Sequence, residues 1–287
     1  MQEPLNETHD PSRRSFVESA NGQDTEFPIQ NLPFGVFSPP GLPPRAGVAI
    51  GDQILDLSAC VARGLIDELP QTIAASPTLN ALMAQGNALA ARIRRRVGGL
   101  LDANDDASRP LRNPPDGVLY PAASCAMHLP AAIGDFSDFF AGIYHAQTAG
   151  AFINPARPLP PSYKWLPIAY HGRASSVVVS GGEIRRPLGQ SVESADANPT
   201  FAPSRRLDIE LELGLFVGPG NALGEPIGIA AAADHIFGYC LLNDWSARDL
   251  QFWEMTPLGP FLGKSFGTTI SPWIVTARSN EVASRYA

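Results

Sequence analysis

From Arg206 to Leu213 the chain alternates without a break: Leu207, Ile209, Leu211 and Leu213 fall on one side, Asp208, Glu210 and Glu212 on the other. Successive side chains of a strand point to opposite faces, so this run is a strand with an apolar face to bury and an acidic face opposite. Same-face neighbours stand about 6.6 Å apart, and no lysine or arginine separates the three carboxylates. Two answers to that row of like charge are open. The acids line the solvated outer face of an antiparallel sheet, or they gather around a hard divalent cation, which takes several carboxylate oxygens. Cross-strand pairs favour opposite signs, which weighs against the first.

The remaining composition fits a β-rich globular chain. Among 287 residues, 28 prolines and 26 glycines with only 17% charged residues indicate many stiff turns rather than a helical bundle. The apolar content suffices for one large core and a smaller one. A net charge of −7 argues against a nucleic-acid partner. The one basic cluster, Arg92, Arg94, Arg95 and Arg96 around Ile93, reads as the solvated face of a helix. No apolar run approaches the ~20 residues that span a bilayer, so no membrane partner is expected, and the first residues lack the pattern of a signal peptide. Cys60, Cys125 and Cys240 are odd in number and widely spaced, and read as reduced core residues of a cytoplasmic protein.

Residues 1–26 are polar and aperiodic and read as a mobile tail. Strands are expected at 34–37, 46–50 and 53–57, the last two joined by a hairpin at Gly51-Asp52. Leu79, Leu82, Met83, Leu89, Ile93 and Val97 recur at helical steps, interrupted at Gly86. These elements form an N-terminal α+β or barrel-like module over residues 27–115. Beyond it, over 116–287, strands are expected at 176–180, 205–217 and 237–242. Loops rich in proline and glycine, at 157–161 and 257–263, are placed to carry a site. The fold class is α+β, mostly β.

Three further segments carry chemistry. In a helix capped by Asp135 or Ser137, with Phe139, Phe140 and Ile143 on its apolar side, Asp138 and His145 share a face. That spacing suits a carboxylate and an imidazole at one cavity, and equally a surface aspartate with a half-buried histidine. Asp244 ends the apolar run 236–242, with Arg248 and Gln251 three apart just beyond it, as in a site or in an ordinary surface pair. The segment from Gly259 to Ser265 mimics a phosphate loop but has three residues between its glycines where four are needed. Lys264 is then a positioned ammonium or a plain surface lysine. No G-x-S-x-G, C-x-x-C or H-E-x-x-H motif occurs, and the oxygen-rich candidates with only five histidines favour Ca²⁺ or Mg²⁺ over zinc.

Residues 135–145, the run AYHGRASS at 169–176, residues 208–212 and residues 243–269 together resemble the fumarylacetoacetase family, most specifically in LGPFLGKSFGTTISPW at 258–273. The resemblance spans about residues 28–275. It implies a small SH3-like N-terminal barrel, a mixed β-roll catalytic domain, a homodimer, and hydrolysis of a carbon–carbon bond in 4-fumarylacetoacetate at the end of tyrosine and phenylalanine catabolism. By it, Asp138, Glu210, Glu212 and Asp244 match Ca²⁺ ligands, and Lys264 and Thr268, with Asp244, match Mg²⁺ positions. His145 matches the base that activates water; Tyr170, Arg248 and Gln251 match substrate or oxyanion contacts. A protonated ammonium cannot ligate a cation, so Lys264 acts as a neighbour or through its carbonyl. Three substrate positions depart from the family: Phe140 and Met255 replace tyrosines and Asn154 replaces an arginine. Lost polar contacts weaken discrimination, which leaves another diketo acid, a 1,3-diketone or acylpyruvate, as an alternative substrate. Family members are longer, and residues 276–287 leave their pattern. An incomplete β-roll with open edges is therefore expected, with an inactive fragment as the further alternative.

Overall fold

The computed structural model describes residues 7–113, 115, 117–194 and 197–277. Its strands are β1 (Phe34–Ser38), β2 (Arg45–Ile50), β3 (Gln53–Asp56), β4 (Leu119–Pro121), β5 (Ala126–His128), β6 (Ser137–Phe139), β7 (Ala169–His171) and β8 (Val177–Val179). They continue as β9 (Leu188–Ser191), β10 (Thr200–Pro203), β11 (Leu207–Asp208), β12 (Leu211–Val217), β13 (Ile236–Asp244), β14 (Ser246–Ala247), β15 (Thr268–Ile270) and β16 (Trp273–Thr276). The helices are α1 (Leu57–Ala62), α2 (Gln71–Ala74), α3 (Asn80–Met83), α4 (Asn87–Leu101), α5 (Arg109–Arg112), α6 (Ile143–Ile153), α7 (Arg248–Glu254) and α8 (Leu262–Ser265). None is long and apolar enough to cross a membrane among the described residues.

The expected hairpin is present: β2 and β3 pair from Ile50↔Gln53 to Gly47↔Asp56. Gly51 turns it at φ 54°, a conformation glycine adopts without steric cost. β1 is the hub of the main sheet. It pairs with β2 along Phe34 to Phe37, with β5 along Val36 to Ser38, and with β16 at Phe34 and Gly35. Ten strands result, in the order β4-β3-β2-β1-β16-β13-β15-β8, with β5 also on β1 and β12 on β13. The early and late strands thus share one mostly antiparallel sheet; β15 and β8 are its parallel pair.

The large core lies on the N-terminal side, where Phe34, Val48 and Leu55 meet Leu57, Ile93 and Leu100, sealed by Phe237 and Ile274 from β13 and β16. Each such side chain, fully buried, contributes roughly 1.5–3 kcal/mol. A much smaller cluster, Val177, Cys240 and Ile270, supports the C-terminal strands.

Four expectations are corrected. Residues 7–26 are docked rather than mobile: Val17 and Ala20 join the core, Ser15 Oγ donates to the Leu101 carbonyl at 2.9 Å, and Arg13 pairs with Asp102 at 2.6 Å. A few apolar anchors suffice where the flanking polar groups find partners. The helical run over 79–97 is interrupted at Gly86 as expected, where φ 79° separates α3 from α4. Arg94 is not on a solvated face; it is 3% exposed and donates to the Gln30 carbonyl and Thr8 Oγ1, tying α4 to the chain before β1. Cys60 and Cys240 are buried as expected, whereas Cys125 is half-exposed.

The fourth correction concerns the alternating run. It breaks between β11 and β12, where Glu210 N–H donates to Asn243 Oδ1 at 3.1 Å. Its faces are also reversed: Leu211 is 78% and Leu213 64% exposed, while Glu210 and Glu212 are half-buried. β12 pairs with β13 alone, so among the described residues nothing covers the leucine face. The acidic face turns inward, toward charge that other segments supply.

Candidate active site

Asp138 reaches the site on a strand. The helix expected at 135–145 starts only at Ile143, after Gly142, because residues 137–139 pair with β7 in the register Asp138↔Tyr170. β12 and the end of β13 supply Glu212 and Asp244. The three side chains each offer a carboxylate oxygen, all within 4.8 Å of one another. The Tyr170 hydroxyl donates to Asp244 Oδ2 at 3.0 Å, and Thr268, opposite Asp244 in the β13–β15 register, approaches Oδ1 at 3.5 Å.

Two cations from α7 and α8 answer the rest of the acidic row. Lys264, with its side chain 6% exposed, donates to Asp244 Oδ2 at 2.8 Å and to Glu210 Oε2. Arg248 Nη1 donates to Glu210 Oε1 at 2.6 Å and to Gln251 Oε1 at 3.0 Å, and its Nε donates to Asp208 Oδ2 at 2.9 Å. The two helices are locked together. The Glu254 carboxylate accepts from the N–H groups of Phe261, Leu262 and Gly263 at 2.8, 3.0 and 2.6 Å. A β-carbon on Gly263 would lie 2.7 Å from the Gln251 nitrogen, so only glycine permits this approach.

The electrostatics divide the acids into two kinds. Burial works against ionisation of Glu210, but Lys264 and Arg248 outweigh it and hold its carboxyl below the ordinary range. Among the described residues no cation pairs with Glu212: burial, then the charges of Asp138, Asp244 and Glu210, push it up to about 8 against a smaller pull from Lys264. Burial also raises Asp244, against the pull of Lys264, and raises the Tyr170 phenol together with the charges of Asp244 and Asp138. Glu210 is thus engaged by two cations, and of the four acids the oxygens of Asp138, Glu212 and Asp244 are the ones that come within 4.8 Å of one another.

Other expected residues stand apart from this cluster. His145 is exposed on α6, its ring edge-on to Phe140 at 5.6 Å, and among the described residues it forms no ion pair. Phe140 also packs against Tyr163. Asn154 sits at the C-cap of α6 and accepts from the Arg157 N–H at 3.2 Å; Met255 is the C-cap of α7. Sequence reasoning assigned no role to Glu254 and left Asp208 as one acid of the row with no counter-charge named. Asp208 was legible as a member of the acidic row. Glu254 was not, because a carboxylate that accepts from loop amides leaves no spacing signature.

A cavity of about 70 Å³ opens beside the cluster, lined among others by Phe136, Tyr170, Asp244, Lys264 and Thr268. The three converging carboxylates, with a lysine, an arginine and a tyrosine around them, could hold a hard cation through oxygen donors. The family follows from the sequence comparisons: the chain belongs to the fumarylacetoacetate hydrolase family. The family model for the fumarylacetoacetase N-terminal region matches residues 30–130, and that for the fumarylacetoacetate (FAA) hydrolase C-terminal region matches residues 137–285, further than the pattern was expected to run. The chain is 51% identical over 265 residues to the fumarylacetoacetase of Rattus norvegicus, covering 91% of this chain and 63% of that protein. It is 49% identical over 268 residues to that of Arabidopsis thaliana, with 92% and 63% covered, and 50% identical over 265 residues to that of Homo sapiens, with 91% and 63% covered. The chain therefore spans under two thirds of the length of these curated relatives.

Proposed function

We propose that this chain cleaves a carbon–carbon bond of 4-fumarylacetoacetate with water, giving fumarate and acetoacetate, as the last step of tyrosine and phenylalanine catabolism. The observation that carries this reading is the convergence of Asp138, Glu212 and Asp244 beside Lys264, in a chain about half identical to fumarylacetoacetases. In the same reading the enzyme is a cytoplasmic homodimer. Residues 27–115 form its SH3-like N-terminal domain, supported by the short antiparallel strands β1 to β3, and residues 116–287 form its catalytic domain.

The donor set fits Ca²⁺ or Mg²⁺: three carboxylate oxygens lie within 4.8 Å of one another, and one acid is raised to about 8 by burial and then by the charge of its neighbours. Asp138, Glu212 and Asp244 would hold the ion, with Thr268 beside Asp244. When bound it supplies a Lewis acid to the two oxygens of a 1,3-diketone. The remaining work falls to side chains. His145 takes a proton from water, whose oxygen attacks the ketone carbon; this requires its ring to turn from Phe140 toward the cavity. The carbon–carbon bond then breaks, its electron pair leaves with the acetoacetate carbon as an enolate, and a proton completes acetoacetate. Lys264 spends two of its three N–H donors on Asp244 and Glu210 and has one left for the oxyanion. Gln251 accepts from Arg248 through Oε1, which leaves its amide N–H groups for a substrate oxygen.

Phe140, Asn154 and Met255 favour a second reading, hydrolysis of another 1,3-diketone or an acylpyruvate, because none of the three supplies the polar contact of the family pattern. The test is the decay of the ultraviolet absorption of 4-fumarylacetoacetate with purified chain and Ca²⁺ or Mg²⁺. No decay with either ion sinks the first reading, and consumption of acylpyruvates instead supports the second. Non-cooperative unfolding that ignores Ca²⁺ identifies an inactive fragment.

A further inference from the structure

Of the cluster's carboxylates only Asp244 lines the cavity. The two cations beside the acidic row are both committed: Lys264 to Asp244 and Glu210, Arg248 to Asp208 and Glu210. Besides Lys264, the cavity lining holds one arginine, Arg173. It is exposed, and no carboxylate pairs with it among the described residues. His171, beside it, has Nδ1 engaged with Ser137 Oγ at 3.1 Å.

The backbone that delivers Arg173 is held firmly. Gly172 N–H donates to the Phe136 carbonyl at 3.0 Å. A β-carbon on Gly172 would lie 1.9 Å from the Phe136 ring, so only glycine lets the chain pass flush against it. On the other side the Arg173 carbonyl accepts from the Ser176 N–H at 3.4 Å and the Ser176 hydroxyl at 3.2 Å. A fixed stem therefore carries a planar, always-charged fork at the cavity, the geometry that suits two-point recognition of a carboxylate. Asn154, which replaces an arginine of the family pattern, has its side chain turned to the Arg157 backbone.

We propose that Arg173 binds a carboxylate of the substrate in this cavity and thereby selects diketo acids over uncharged diketones. This deepens the proposed function and rests on it for the identity of the substrate. The test uses fumarate as a probe, titrated calorimetrically into the full chain loaded with Ca²⁺, with acetylacetone as an uncharged diketone. The expected result is that Arg173→Gln weakens fumarate binding about tenfold or more, the size of one charge-assisted contact. It leaves Ca²⁺ and acetylacetone binding unchanged, while Arg173→Lys restores part of the loss and Arg92→Gln, on the exposed side of α4, has no effect. Equal fumarate binding by Arg173→Gln and the unaltered chain overturns the proposal, as does absence of fumarate binding or an equal loss for acetylacetone. If Arg173-dependent fumarate binding persists in a chain that consumes no diketone, the hydrolase reading fails and this one stands. If 4-fumarylacetoacetate is consumed with a KM that Arg173→Gln does not raise, the reverse holds.

Discussion

Loading the three carboxylates with Ca²⁺ near neutral pH should expel a proton, and the structure sets how much. Glu212 titrates at about 8 because burial and the charges of Asp138, Asp244 and Glu210 oppose its ionisation. Such a group is about 90% protonated at pH 7 and about 10% at pH 9. A divalent ion takes the carboxylate form, so binding releases about 0.9 proton per ion at pH 7 and about 0.1 at pH 9. By linkage, affinity rises nearly tenfold per pH unit up to about pH 8 and then levels off. The same group sets a stability trend without the ion. Its folded pKa lies above the ordinary 4.5, so between about 4.5 and 8 the folded chain binds more protons than the unfolded one. Its contribution is complete below that window and declines as pH rises through it; saturating Ca²⁺ removes the decline. Calorimetric titration in two buffers of different ionisation heat, at each pH, counts the protons directly, and Glu212→Gln abolishes the release. Ca²⁺ binding of equal affinity at pH 6 and pH 8, with no proton released, would refute the reasoning.

Lys264→Met leaves Asp244 and Glu210 without their shared cation and should cost about 3 kcal/mol, read as a lower urea midpoint. Gly263→Ala forces α7 and α8 apart at the Gln251 backbone and should cost about 1–3 kcal/mol, with Ca²⁺ affinity little changed because no cluster carboxylate moves directly. Replacing Leu211 and Leu213 together by threonine should shift stability by no more than about 0.5 kcal/mol while reducing binding of an apolar fluorescent dye. In contrast, Leu55→Ala in the core should cost about 2–5 kcal/mol in the same urea titration.

The parts legible in sequence were those governed by local rules. β2, β3 and their hairpin follow from alternation around Gly51-Asp52, and Gly86 marked the break between α3 and α4. The acidic row announced that counter-charge was needed, but not its source, since Lys264 lies 54 residues from Glu210 and Arg248 lies 38. Alternation also could not say which face turns inward. A leucine row is the default inner face, whereas here Arg248 of α7 and Lys264 of α8 meet the acidic side with opposite charge. The helix expected at 135–145 failed for a related reason: the pairing of Asp138 with Tyr170 is a long-range contact that overrides a local capping pattern. Arg94 was misjudged because its acceptors, Gln30 and Thr8, belong to a stretch that carries almost no periodic signal.

The pairing of β1 with β16 also sets a timetable for the nascent chain. Phe34 and Ile274 are register partners across about 240 intervening positions, which ribosomes extend at roughly 5–20 residues per second. For about 12–48 s after Phe34 is made, that end of β1 therefore has no partner there, while β2, β3 and α1 can already assemble on its other side. Closing so long a loop costs about 5 kcal/mol beyond a constant, offset only when Phe237 and Ile274 arrive to complete the core. During translation, then, the N-terminal half waits with an adhesive strand edge at its centre, and β16 is what finally takes that edge away from neighbouring chains.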